Sequence, residues 1–125
     1  MDPRHYWQGR LGSFKYAIRG IKLLFSREPN AQFHMGAAVI VIIAGFIFHI
    51  SAGEWCAVVI CIGAMFAAEG LNTSIEKLSD HVCHERHPMI ALVKDVAAGA
   101  VLCMAVAAVT VGLIIFLPKI IALFS

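Results

Sequence analysis

The sequence is short of charge and lacks the common nucleotide-binding and hydrolase motifs. Only 14% of its 125 residues are Asp, Glu, Lys or Arg, whereas 60% are hydrophobic, and the mean hydropathy is +0.81. So small a soluble protein could not bury this much apolar sequence, which makes a soluble helical bundle the weaker alternative to a membrane protein. The patterns GxxxxGK[ST], GxGxxG after a strand, GxSxG and HExxH are missing, so a nucleotide would have to bind without a P-loop.

Cysteines are few, and their spacing indicates neither a metal site nor a disulfide. Cys56, Cys61 and Cys103 lie in hydrophobic runs, and Cys83 lies in a polar block. We expect four free thiols, because no pair has CxxC or zinc-finger spacing. A signal peptide is not expected either, because residues 4–27 contain six basic residues and no uninterrupted apolar core.

Charge is nearly absent from three long stretches, residues 31–53, 55–68 and 96–118. As helices, stretches of this length would cross much or all of the hydrocarbon core of a bilayer. The sequence therefore predicts an all-α membrane protein with one domain and three transmembrane helices, over about residues 30–49, 54–80 and 89–117.

A further amphipathic helix is predicted before these spans, over about residues 5–26. Its apolar residues recur at steps of three and four, which marks one helical face: Trp7, Leu11, Phe14, Ile18, Ile21 and Phe25. Lys15, Arg19 and Lys22 form a basic stripe on another face. The pattern is typical of a helix that lies in the membrane interface near anionic head groups, and a nucleic-acid-binding arm is the weaker alternative.

The basic residues also predict the orientation in the membrane. Nine of the ten Lys and Arg residues lie in the N-terminal segment or in the block 77–94. The positive-inside rule places both segments in the cytoplasm. Small residues recur at steps of four in the spans, as at Gly63 and Ala67, which favours close helix contacts and an oligomer.

Polar residues follow one face of the second span near its end. Glu69, Asn72, Thr73, Glu76 and Asp80 are spaced 3, 1, 3 and 4 apart, so they share one stripe of a helix. Glu69 is the deepest, and a carboxylate there must face protein or a polar cavity because burying it in lipid costs about 2.5–3.5 kcal/mol or more. Its depth suits a general base or acid.

Clustered carboxylates need a positive partner, which Lys94, Arg10, Arg19 or a metal ion could supply. With no zinc-type set nearby, they favour a hard cation such as Mg²⁺, which one or two carboxylates can hold together with phosphate oxygens. Glu28 could join Glu76 as a second carboxylate, because Pro29 pushes Glu28 out of helical geometry at the membrane joint. Lys94 could hold a phosphate, and Asp95 could orient Lys94 or the polar turn. Charged residues at span ends also simply mark the water boundary, and that alternative stays open for Asp80, Glu85, Arg86, Lys94 and Asp95.

The histidines of the polar turn suggest a weaker possibility. His81, His84 and His87 lie three apart, and with Cys83 they could form a metal site. Steps of three drift around a helix, however, so a solvated turn is the favoured interpretation.

Three segments together resemble a known family. "FKYAIRGIKLLFSREPNAQFH" (14–34), "EGLNTSIEKLSD" (69–80) and "KDVAAGAVL" (94–102) resemble the small bacterial membrane kinases of the diacylglycerol kinase and undecaprenol kinase family. The likeness covers about residues 10–116. It implies a homotrimer in the bacterial inner membrane that transfers the γ-phosphate of Mg·ATP to a lipid hydroxyl at the cytoplasmic face.

The resemblance also implies roles for individual residues. Glu69 would be the general base and Asn72 would support the catalytic face. Glu28 and Glu76 would hold Mg²⁺. The remaining implied residues would contact ATP, in a site shared between subunits: Arg10, Tyr16, Glu85, Arg86, His87, Lys94 and Asp95.

The lipid substrate is a finer expectation. His34 and Ala98 resemble the undecaprenol kinase branch, so undecaprenol is favoured over diacylglycerol. A small ion channel is disfavoured because span 1 and the first half of span 2 are apolar apart from thiols. A non-enzymatic membrane scaffold is the third alternative, and it predicts that Glu69→Gln would be harmless.

Overall fold

A computed structural model describes residues 10–125, with side chains from residue 12 onward, and within that range the chain is entirely helical. The four helices are α1 (Arg10–Arg27), α2 (Pro29–Ile47), α3 (Ala52–Val82) and α4 (Pro88–Leu123). The predicted all-α class is thereby confirmed. Residues 5–9 of the expected surface helix lie outside the described residues.

Helices α2, α3 and α4 are each long and apolar enough to cross a membrane. At 1.5 Å per residue they measure about 28, 46 and 54 Å, so α3 and α4 exceed the ~30 Å hydrocarbon core. The expected spans largely coincide with these helices, although α2 ends at Ile47 and α4 continues to Leu123. Pro118 lies inside α4; it cannot donate the backbone hydrogen bond of its turn.

Helices α1 and α2 are joined at a single extended residue. Glu28 has φ −103° and ψ 114°, and Pro29 opens α2, as the restriction on the residue before proline predicts. The side-chain amide of Gln32 donates a hydrogen bond from Nε2 to the backbone carbonyl of Phe25 at 3.1 Å. This bond satisfies one of the carbonyls that the end of α1 leaves free, so the joint has a defined direction.

The outer surface of α1 remains exposed. Phe14, Ile18 and Ile21 of the predicted apolar face are each more than half exposed, while Phe25 meets Phe66 of α3 edge-on at 4.8 Å between ring centroids. A helix that packs against the bundle near its C-terminal end and leaves its apolar side open has the properties of an interfacial helix.

The turn between α2 and α3 is held by two capping motifs. His49 adopts a left-handed conformation with φ 50°, and the Ile50 N–H bonds the Gly45 carbonyl at 3.2 Å, which is the Schellman arrangement. The Ser51 side chain and Glu54 then form a capping box at the start of α3. Trp55 lies directly over Gly45, so that a Cβ at Gly45 would come within 2.6 Å of the indole.

Helix α4 packs antiparallel along α3. Two ion pairs lie at opposite ends of this pair, Lys94–Asp80 at 2.6 Å and Lys119–Glu54 at 2.8 Å. The small apolar core lies toward the Glu54 end, where Ile50, Val58 and Ile115 are buried together. The opposite end of the α3–α4 pair carries the polar residues.

Candidate active site

The buried face of α3 changes from apolar to polar along its length. Val58 and Met65 are buried near its start, followed by Glu69, Asn72 and Ser79. Glu69 is 2% exposed and Asn72 is 7% exposed. The predicted stripe is therefore inward-facing at its first two members. Its last member differs, because Asp80, although still within α3, is exposed, and its neighbour Ser79 is buried instead.

Glu69 is held by a histidine from the neighbouring helix. The Nε2 atom of His34 on α2 lies 3.1 Å from Oε1 of Glu69. The His34 side chain is 21% exposed and that of Glu69 only 3%. A buried carboxylate needs such a partner, because an unpaired charge away from water is costly.

One helical turn further on, Asn72 and Glu76 form a second polar pair. The Asn72 Nδ2 amide donates to Glu76 Oε1 at 3.3 Å. The Oδ1 atom of Asn72 is buried and has no hydrogen-bond partner among the described residues. A buried acceptor without a donor is uncommon in proteins and marks a place where a donor or a cation would be stabilised.

Glu28 reaches the same region from the α1–α2 joint. Its carboxylate lies 3.4 Å from the Lys77 ammonium, and that lysine side chain is 70% exposed. An exposed pair of this kind contributes little, about 0–1 kcal/mol, so Glu28 can exchange Lys77 for another cation at small cost.

These oxygen atoms suit a hard divalent ion better than a softer metal. Within residues 10–125, no group of three or more His, Cys, Asp or Glu side chains is placed to hold a metal. Mg²⁺ commonly binds through one or two carboxylates and takes its remaining ligands from water and phosphate. Glu76 and the unpaired Asn72 oxygen lie together and are oxygen ligands of the kind that Mg²⁺ takes, and Glu28 stays a predicted ligand. The alternative site of His81, Cys83, His84 and His87 finds no support among the described residues.

The polar turn after α3 forms an open cleft of about 670 Å³. Five of the residues predicted to contact ATP line it together: Glu85, Arg86, His87, Lys94 and Asp95. Lys94 is held there by Asp80, and His87 caps α4 by accepting the Met89 N–H on Nδ1 at 3.1 Å. The cleft thus begins about one helical turn beyond Glu76, close to 6 Å along the axis.

The two predicted residues on α1 are less well placed. Tyr16 is 70% exposed and does not line the cleft. The side chain of Arg10 lies outside the described part of the chain. Their expected contacts with a nucleotide stay predictions.

An apolar groove of about 350 Å³ runs between α2, α3 and α4. Phe33, Ala37, Met65 and Phe66 are among its lining residues, and His34 is the polar side chain at its margin. The groove therefore leads, along apolar walls, to the histidine that holds Glu69. Such a space suits a long hydrocarbon chain with a single polar end.

Sequence reasoning did not identify His34 as part of the site. A histidine inside an apolar run is itself a signal, because ionisable residues within membrane spans are rare and usually functional. The Glu54–Lys119 pair was also missed, since both residues read as isolated charges in the sequence.

Comparison with known proteins identifies the family of the chain. A sequence model of the family described as prokaryotic diacylglycerol kinase matches residues 15–116. The undecaprenol kinase of Bacillus subtilis (strain 168) is 45% identical over 118 residues, covering 94% of this chain and 96% of the relative. The diacylglycerol kinase of a Synechocystis species is 34% identical over 124 residues, covering 96% of this chain and 71% of the relative. The chain therefore belongs to the prokaryotic diacylglycerol kinase family of membrane lipid kinases.

Proposed function

We propose that the protein transfers the γ-phosphate of ATP to the hydroxyl of undecaprenol at the cytoplasmic face of the bacterial inner membrane. Family membership and the relative named undecaprenol kinase support this function. The observation that carries the proposal is the position of Glu69, a carboxylate only 2% exposed, next to the histidine at the margin of an apolar groove.

Glu69 would act as the general base. The lipid hydroxyl gives its proton to the Glu69 carboxylate, its oxygen forms a bond to the γ-phosphorus, and the bond from that phosphorus to the β–γ bridging oxygen breaks to release ADP. A base in position contributes typically 10²–10⁴-fold to such a reaction. Phosphoryl transfer otherwise requires positioning and cations on the developing charge rather than covalent chemistry.

Asn72, Glu76 and Glu28 would hold Mg²⁺ beside this base. When bound, the ion would neutralise charge on the phosphate oxygens. Asn72 also orients Glu76 through the 3.3 Å hydrogen bond. Together they would form the part of the site nearest the nucleotide cleft.

The cleft would hold the phosphates and the remainder of ATP. Lys94 supplies an ammonium group for phosphate oxygens, and Asp95 lies next to it in the chain. Glu85, Arg86 and His87 line the same cleft, and Tyr16 and Arg10 would close it from α1. The family resemblance implies that these parts are shared between three copies of the chain, and we propose a homotrimer on that basis.

The composition of the groove favours undecaprenol over diacylglycerol. A polyprenol carries one hydroxyl and no ester, whereas diacylglycerol carries two ester groups next to its hydroxyl. Apart from His34 and the weakly polar Cys61, the lining of the groove has no polar side chain to meet ester oxygens. Diacylglycerol is the second candidate, because the relative in Synechocystis bears that name.

An assay with radiolabelled ATP would test the substrate directly. The purified protein, in vesicles containing either undecaprenol or diacylglycerol, should label undecaprenol at least tenfold faster per mole of lipid. Glu69→Gln should lower that rate 100-fold or more. Glu54→Gln makes the same chemical change at the other end of α3 and should keep turnover within about twofold.

Preferential labelling of diacylglycerol would overturn the choice of substrate and leave the kinase intact. Retention of a tenth of the wild-type turnover by Glu69→Gln would contradict its role as the base. Absence of labelled lipid with both alcohols, together with ion flux in the same vesicles, would support the channel alternative instead.

A further inference from the structure

We propose that His34 is a positioning residue that fixes which oxygen of Glu69 receives the proton of the lipid hydroxyl. The inference rests on the proposed kinase function. It starts from the contact between His34 Nε2 and Glu69 Oε1, which are 3.1 Å apart.

The chemistry of the two groups sets the direction of this hydrogen bond. An ionised carboxylate only accepts hydrogen bonds, so a neutral His34 must present its Nε2–H to Glu69. Oε1 is then occupied, and Oε2 is left free to accept a proton. A hydrogen bond between a histidine and a carboxylate holds the imidazole in one tautomer and the carboxylate in one rotamer.

Burial makes His34 difficult to replace by solvent. The Glu69 side chain is 3% exposed, and within residues 10–125 His34 is its sole hydrogen-bond partner. Water therefore has little access to orient the carboxylate if the imidazole is removed. Rotation of Glu69 would then place either oxygen, or neither, toward the lipid hydroxyl, and a misplacement of about 1 Å can cost on the order of 100-fold in rate.

The location of His34 links this role to the substrate. Its ring lies at the margin of the apolar groove, while its helix neighbour Phe33 lines the same wall. Phe33 and His34 are also in edge-on contact, with centroids 5.6 Å apart. A lipid in the groove would thus approach Glu69 past the residue that orients it.

A pair of variants separates hydrogen bonding from packing. His34→Gln keeps an amide N–H at about the reach of Nε2, whereas His34→Leu fills similar space and has no donor. We expect His34→Leu to lower kcat at least 20-fold with the KM for ATP unchanged within twofold. His34→Gln should recover kcat to within about fivefold of wild type.

Three further measurements keep the test independent of folding and of the choice of lipid. The thermal midpoint of each variant shows whether it is folded, and Glu69→Gln combined with His34→Leu should be no slower than Glu69→Gln alone, because both act through one group. Nitrogen NMR of histidine-labelled protein, with His34→Gln used to assign the signal, should show the Nε2–H tautomer at His34.

The proposal is overturned if folded His34→Leu keeps kcat within threefold, if His34→Gln is as slow as His34→Leu, or if the NMR signal shows Nδ1–H as the protonated nitrogen. A wrong choice of lipid substrate would give a different result. In that case wild type does not phosphorylate undecaprenol, and the tautomer measurement still decides the role of His34.

Discussion

Glu69 and Asn72 occupy positions on α3 where the helical repeat would otherwise place apolar residues such as Val58 and Met65. That these residues face a polar site could be predicted from the sequence. Glu69 follows fourteen uncharged residues, and a carboxylate at that depth is costly in lipid. The partner of Glu69 could not be predicted in this way. Whether His34 faces α3 depends on the rotation of α2 about its axis, and the weakly amphipathic sequence of α2 does not fix that rotation.

At the residue scale, the proposed Mg²⁺ site at the unpaired oxygen of Asn72 predicts how turnover depends on the concentration of the metal. Glu76→Gln keeps the size of the side chain and the hydrogen bond from Asn72, but removes the charge that would hold Mg²⁺. We expect turnover to fall at least tenfold at millimolar Mg²⁺ and to recover in part as Mg²⁺ is raised. The measurement is a Mg²⁺ titration of the initial rate at saturating ATP.

Glu54→Gln is the matched control for this titration, since Glu54 lies on the same helix and pairs with Lys119 rather than with the site. Its Mg²⁺ dependence should equal that of wild type. An unchanged Mg²⁺ midpoint in Glu76→Gln would argue against ligation by Glu76.

At the scale of single elements, the contact between Gly45 and Trp55 fixes how α2 meets α3. A Cβ at Gly45 would lie 2.6 and 2.8 Å from two ring carbons of Trp55 and 3.2 Å from Ile50. We therefore expect Gly45→Ala to destabilise the fold by about 1–3 kcal/mol, the usual cost of overpacking. Thermal unfolding in detergent micelles measures the difference.

Gly36→Ala provides the comparison within the same helix. Within the described part of the chain, no atom outside the local helix lies within 4 Å of the Cβ it would add. Alanine is the better helix former by about 1 kcal/mol, so this variant should be neutral or slightly more stable. Equal destabilisation by both substitutions would contradict the assignment of the Gly45 effect to Trp55.

The elements themselves were largely predictable, and the turn between α2 and α3 was not. Charge-free runs and Pro29 located the helices to within a few residues. The packing of Trp55 over Gly45 depends on contacts between helices that no local pattern encodes. A left-handed His49 is likewise unexpected, because glycine is the usual residue at that position of a helix end.

For the whole molecule, the surface is unusually apolar, and this is consistent with three membrane spans. Large hydrophobic side chains such as Ile40, Ile60 and Ile114 are more than two thirds exposed. A soluble monomer rarely exposes so much apolar surface. Lipid and further copies of the chain can cover it, and composition alone predicted this property because it does not depend on how the helices are arranged.

The proposed orientation makes a prediction that native Cys83 can test. Cys83 lies in the turn between α3 and α4, which the positive-inside rule places in the cytoplasm. A membrane-impermeant maleimide should label it in inverted vesicles and not in right-side-out cells. Ser125→Cys in a Cys83→Ser background should show the reverse pattern, because Ser125 follows the last span. Labelling of Cys83 from outside the cell would contradict the orientation.

The distance between the two ion pairs of the α3–α4 hairpin can be compared with the thickness of a bilayer. Glu54 and Asp80 are 26 residues apart on one helix, and Lys94 and Lys119 are 25 apart on the other, which corresponds to about 39 Å at 1.5 Å per residue. That distance is close to the ~40–45 Å between the outer limits of the two head-group layers. A membrane of matching thickness lets both charge pairs stay hydrated at once, whereas a markedly thicker one would draw one pair into hydrocarbon or tilt the hairpin. We therefore expect the acyl-chain length of the surrounding lipids to set how deep Glu69 lies below the membrane surface.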